Sequence, residues 1–157
     1  SFREWIERNG RGALDGDRDT RQEHVKRFAV EFMTEVARLM PVTSVSLVAA
    51  AIADETRPVS RDEVVLRVAD RRKAVEAAGA RLVRPDKTDA EHADYALLLL
   101  ETRGAIARDE GTGGLVVVEE YRVVVRYYAH AIAHFLGAPL FPPQSYATPP
   151  PPVSAST

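Results

Sequence analysis

The sequence predicts a mainly α protein, a helical bundle carrying one small β-hairpin and followed by a disordered proline-rich tail. Three observations lead there. Apolar residues recur at three- and four-residue spacing through segment after segment, the period of a helix with one buried face. A serine or threonine stands three residues ahead of a glutamate before three of those segments, the spacing at which each side chain satisfies the other's free backbone amide. One glycine-rich stretch, EGTGG, separates two short apolar runs, as a hairpin turn would.

Taken in order, Phe2 to Glu7 predict a short helix that breaks at NGRG (Asn9–Gly12), with Asp15–Asp17 prolonging the loop. Thr20 and Glu23 make the first capping box. Behind it Val25, Phe28, Ala29, Phe32, Met33, Val36, Leu39 and Met40 share one helical face, and Pro41 stops the helix. Thr43 caps a helix through Val45, Leu47, Val48 and Ile52 that is apolar on most sides, which predicts a central, buried position.

Ser60 and Glu63 open a helix through Val64, Val65, Val68 and Val75 to Gly79, with RVADRRK (Arg67–Lys73) as its solvated face. Thr88 and Glu91 open another through Tyr95, Leu98, Leu99 and Thr102, stopped by Gly104. After the hairpin, with Gly111, Gly113 and Gly114 in its turn, a last helix is expected from Glu119 to Leu136. The expected domains are a helical region, 1–138, and a tail, 139–157, ending PPPPVSAST.

Three helices followed by a hairpin have a winged-helix-like order, and such folds often read DNA. The recognition helix would be Asp89–Thr102. It offers Glu91, His92, Asp94, Tyr95 and Glu101, with one base, Arg103, just past its end. Acidic groups repel phosphate, and a chain with a formal net charge of −2 lacks the basic surface that nucleic-acid binding needs. No nucleic-acid partner is predicted.

At 157 residues the chain can bury a real core. It has no cysteine, so disulfides and thiolate metal sites are excluded. The longest apolar runs, Val45–Ala53 and Tyr95–Leu100, fall short of the roughly 20 residues of a membrane span. The opening SFREWIERNG is too polar for a signal peptide and does not begin with methionine, so the chain is expected to be a piece of something longer.

The segment with the most chemical promise is RYYAHAIAHFLG, Arg126–Gly137. Val123, Tyr127, His130 and His134 fall in one helical stripe. Histidines four apart can clasp zinc, but the residues between them are Ala131, Ile132 and Ala133, so the general-base glutamate of such sites is missing. A third ligand would have to come from His24 or His92. The expectation is a helix packed on both sides, with its histidines hydrogen-bonded at an internal seam. The glycines of EGTGG lack the lysine and hydroxyl of a phosphate loop. Ser44, Ser46 and Ser60 sit in no nucleophile elbow. No catalytic residue, metal ligand or cofactor is predicted within the chain, and no substrate-binding residue is singled out.

Three segments together carry a resemblance. LMPVTSVSLVAAAIADETRPVSRDEV (Leu39–Val64), RYYAHAIAHFLG and the opening SFREWIE resemble the region after the catalytic domain of bacterial and mitochondrial glycerol-3-phosphate 1-O-acyltransferases. The first is similar to that family's valine-threonine-proline-x-x-leucine-valine pattern, with Ser44 in place of the proline. The second is similar to its paired tyrosines, asparagine and histidine, with Tyr127, Tyr128 and His134 matching and His130 in place of the asparagine.

The resemblance covers residues 1–136. It implies a membrane-associated enzyme of phospholipid synthesis that moves an acyl chain from acyl-CoA or acyl-carrier protein to glycerol 3-phosphate. The family's catalytic histidine is followed five positions later by aspartate. Here the residues five after His24, His92, His130 and His134 are Ala29, Leu97, Phe135 and Pro139, and the proline-glutamate-glycine substrate block is missing too. The resemblance therefore implies a non-catalytic C-terminal region, with the catalytic domain upstream of Ser1 as its partner in cis and a peripheral place on the cytoplasmic side of a membrane. The alternative is a stand-alone winged-helix-like interaction module.

Overall fold

The computed structural model describes residues 2–9 and 17–137; the break expected at Asn9–Gly12 and the tail expected from 139 lie outside the described residues, in whole or in part. The elements are α1 (Phe2–Asn9), α2 (Arg18–Leu39), α3 (Ser44–Ile52), α4 (Arg61–Ala77), α5 (Asp89–Thr102), β1 (Ile106–Arg108), β2 (Leu115–Val117) and α6 (Arg122–His130), with 3₁₀ turns at Glu119–Tyr121 and Ala133–Leu136. The architecture is mainly helical with one antiparallel hairpin, as the sequence predicts.

The core is built around α3. Ser44, Ser46 to Ala49, Ala51 and Ile52 are all buried, and α4, α5 and α6 pack around this helix. Its alanines let those neighbours approach closely, while Leu47 and Val48 fill the centre with no exposed surface. Thr43 and Ser46 cap its start reciprocally. Its C-terminal carbonyls have no basic residue of their own helix nearby. Arginines from elsewhere serve this end: Arg67 donates to the carbonyl of Ala51 at 3.0 Å, and Arg122 to those of Ala53 at 3.0 Å and Glu55 at 3.1 Å, just past the helix.

Helices α3, α4 and α5 are followed by the β1–β2 hairpin, and Val59, between α3 and α4, forms an antiparallel bridge to Leu115 of β2. The bridge ties the segment before α4 to the hairpin. Gly114 makes the bridge possible: a Cβ there would lie 2.8 Å from the Cβ of Pro58. In the hairpin turn Asp109 accepts from the backbone and hydroxyl of Thr112, and Gly113 takes a φ of +69°.

Four local expectations are corrected. Helix α2 is capped by Asp17, whose carboxylate accepts from the Thr20 amide at 2.8 Å, so Thr20 lies inside the helix; a carboxylate also interacts well with the helix N-terminus. Ser60 accepts from the Glu63 amide, but Glu63 turns away to Arg57 and Arg67, so that box is half made. On α5 the buried face is His92, Ala93, Ala96, Leu97 and Leu100, whereas Tyr95 and Leu98 point outward. And the RVADRRK face is not simply solvated. Arg72 binds the carbonyls of Lys87 and Pro85, pinning the α4–α5 loop, while Val68 is fully buried.

Candidate functional site

The expected last helix is interrupted. Helix α6 ends at His130, and past it the backbone tightens into i to i+3 bonds, Ile132 N–H to Ala129 and Phe135 N–H to Ile132. A three-residue repeat lines up Ile132 and Phe135, and both turn onto the core. Val125 and Ile132 are buried, and Tyr128, Phe135 and Leu136 pack against the core, whereas Val124 is exposed.

The opposite stripe does not pack as expected. Val123 is 76% exposed, Tyr127 74% exposed, and His130 lies on the surface. His134 is half-buried, its ring 4.0 Å from that of Phe135. Its nitrogens are buried, and neither meets hydrogen-bond geometry, although the Ala37 carbonyl lies near. Burial first, then the charge of Arg38, pushes the His134 pKa down. With His130 on the surface, the two histidines do not form an internal seam. His24 sits beside Trp5, 6.2 Å between ring centres, and His92 lies in the body. Among the described residues no three His, Asp or Glu side chains gather as metal ligands would.

A run of exposed apolar residues lies on α2. Trp5 of α1 is buried, its Nε1–H donating to Glu31 at 2.7 Å and its ring edge-on to Phe28. Phe28 stacks on Phe32. On the body side only Ala37 is buried. The rest of the predicted apolar face, Val25, Phe32, Met33, Val36, Leu39 and Met40, is exposed. A helix of 22 residues, about 33 Å long, thus carries an apolar stripe that no described element covers. Apolar surface of this extent marks a contact face. No helix among the described residues is long and apolar enough to cross a membrane.

Of the serines, Ser46 and Ser60 are spent in caps. Ser44 is not: its hydroxyl lies 2.7 Å from Nδ1 of the buried His92. Burial, followed by the charge of Arg72, lowers the His92 pKa, so the imidazole is neutral at pH 7. Sequence spacing gives no sign of this pair, 48 residues apart. The one available signal was serine standing where the resemblance expects proline.

A model of the glycerol-3-phosphate acyltransferase C-terminal region matches residues 1–140. The chain belongs to that family. No curated protein and no solved structure gives a match. The acyltransferase region takes in every described element from α1 through the Ala133–Leu136 turn. Within that region fall both the helical body around α3 and the exposed stripe of α2.

Proposed function

We propose that this chain is the non-catalytic C-terminal helical region of an enzyme that transfers an acyl chain from acyl-CoA or acyl-carrier protein to glycerol 3-phosphate. The single observation that carries the reading is the family match over residues 1–140. The histidines support it: none has aspartate five positions on, so the acid–base chemistry belongs to a catalytic domain joined in cis. Residues 1–138 act as a brace, and 139–157 as an appended tail.

The exposed stripe of α2 supports bracing. An amphipathic helix left uncovered by the described residues calls for a partner, and here that partner is the catalytic domain. The assembled enzyme sits peripherally on the cytoplasmic face of a membrane, where acyl chains and phospholipid products reside. The test is an acyl-transfer assay with radiolabelled glycerol 3-phosphate. The chain alone is expected to be inactive, and the catalytic domain is expected to gain activity when the chain is supplied. Turnover by the chain alone would overturn the division of labour.

A second reading, a stand-alone winged-helix interaction module, draws on the Val59–Leu115 bridge. The face it would present includes Glu91, held by Lys87, and Asp94, held by Arg61. That surface is poorly suited to nucleic acid. Salt-dependent binding to duplex DNA would favour this reading over the brace.

A further inference from the structure

Helix α2 meets the body near its C-terminal end. Of its 22 residues only Ala37 is buried. Trp5 ties α1 to α2 through Phe28 and Glu31, so the two helices make one arm. Beside Ala37, on the body side, stands His134 in the 3₁₀ turn Ala133–Leu136.

The sequence explains why a histidine can dock there. Within a continuing helix the Ala37 carbonyl would accept from the amide of residue 41, but residue 41 is proline and has no amide hydrogen. The Met40 amide reaches that carbonyl at 3.1 Å. Its second lone pair is left for the His134 ring. The ring lies 4.0 Å from that of Phe135, centre to centre, and both of its nitrogens are buried.

This seat suits a neutral imidazole and not a charged one. A neutral ring has a single N–H to turn toward the Ala37 carbonyl, whereas an imidazolium has two. Among the described residues no acceptor is placed for the second, and a buried donor without one is costly. The charges that act on the ring are also cationic: Arg38 from α2, itself paired with Glu35 at 2.8 Å, and His130 from α6. Helix α4, on which the turn also packs, contributes none. Burial first, and then these cations, oppose a proton on His134 while the arm is docked.

We propose that His134 is a proton-sensitive latch: neutral, it holds the α1–α2 arm against the body, and protonated, it lets the arm go while the body stays folded. Undocking brings the ring to water, where it takes its proton near the ordinary value of about 6.5. Acid therefore favours the open arm. The open-to-closed ratio rises by up to about thirtyfold between pH 7.5 and pH 5, the limit for one histidine that is protonated only when open. The latch belongs to the chain by itself and does not depend on the bracing role.

The chain has no cysteine, so pairs of spin labels can be placed at chosen sites of the full chain. Arg21→Cys on α2 with Lys73→Cys on α4 reports the arm. Lys73→Cys with Glu110→Cys in the hairpin turn reports the body. All three positions are exposed. Distance distributions are read at pH 7.5 and at pH 5.

The arm pair is expected to gain a second population at pH 5, while the body pair keeps its distance. His134→Gln cannot take a proton and should show no pH response, whichever population it holds. Arg38→Gln removes a facing cation and should respond less than the parent. His92→Gln, which removes the other buried histidine, should respond as the parent does. An arm distance that is the same at both pH values would overturn the latch. So would a response that survives in His134→Gln, or a body pair that changes together with the arm. Any of these results leaves the acyl-transfer test of the bracing role unaffected.

Discussion

Replacing Val25, Met33 and Met40 of α2 together by glutamine separates folding from docking. Their exposures are 55%, 44% and 59%, so about half of each side chain still faces water in the chain by itself. Full burial of such a side chain contributes roughly 1.5–3 kcal/mol. Covering the remaining half of all three therefore contributes about 3 kcal/mol to docking, roughly a hundredfold in affinity.

Glutamine is a good helix former, so α2 itself is kept. The triple variant should retain its urea midpoint by circular dichroism, with a stability change within about 1 kcal/mol, because little buried surface is lost. Its affinity for a separately expressed catalytic domain, read by calorimetry, should fall about a hundredfold. Unchanged affinity would show that the stripe is not the docking face. A large loss of stability would show that α2 is already packed within the chain, and either result would refute the reasoning.

Other consequences concern the body. Leu47→Ala removes the fully buried centre of α3 and should cost about 3 kcal/mol in urea unfolding; a cost under about 1 kcal/mol would mean that the core is not organised around α3. Arg122→Ala strips the donor from the carbonyls of Ala53 and Glu55 just past α3 and should cost about 2 kcal/mol, seen as a lower melting temperature. Gly114→Ala forces a Cβ against Pro58 and should cost about 1–3 kcal/mol, with amide protection lost first at Val59 and Leu115.

The pH dependence follows from the histidines. Burial lowers the folded pKa of both His92 and His134, so the unfolded chain binds their protons first. Stability is full above the unfolded value of about 6.5 and is lost as pH falls below it, by up to about 1.4 kcal/mol per pH unit for each histidine. Urea midpoints should drop between pH 7.5 and 5.5, and less steeply in His92→Gln. A second loss is expected at lower pH, since hydrogen bonds from Lys87 and Thr88 hold the Glu91 pKa down to about 2.

The helices were legible because their signals are local. The Thr43 and Thr88 caps, the apolar run of α3 and the glycines of the hairpin each act within a few residues. What failed was the reading of faces. The periodicity of α2 is real, but periodicity says only that a face is apolar, not that its partner lies in the same chain. On α5 the stripe chosen from Tyr95 and Leu98 was displaced by one carrying two alanines and a histidine, because close packing on α3 favours small side chains there.

The capping of α2 went to Asp17 in place of Thr20 since the same local rule allows both and the carboxylate is the better partner for the helix end. The Ser44–His92 contact is a product of tertiary placement. No spacing rule reaches across the 48 residues between Ser44 and His92.

The central claim is that this chain braces a catalytic domain to which it is joined. Reading the coding frame upstream of Ser1 tests it most directly. An open frame carrying a histidine with aspartate five positions later, and a proline-glutamate-glycine block, is the predicted result. A start codon immediately before Ser1 would contradict it, leaving a small helical module with no enzyme to support.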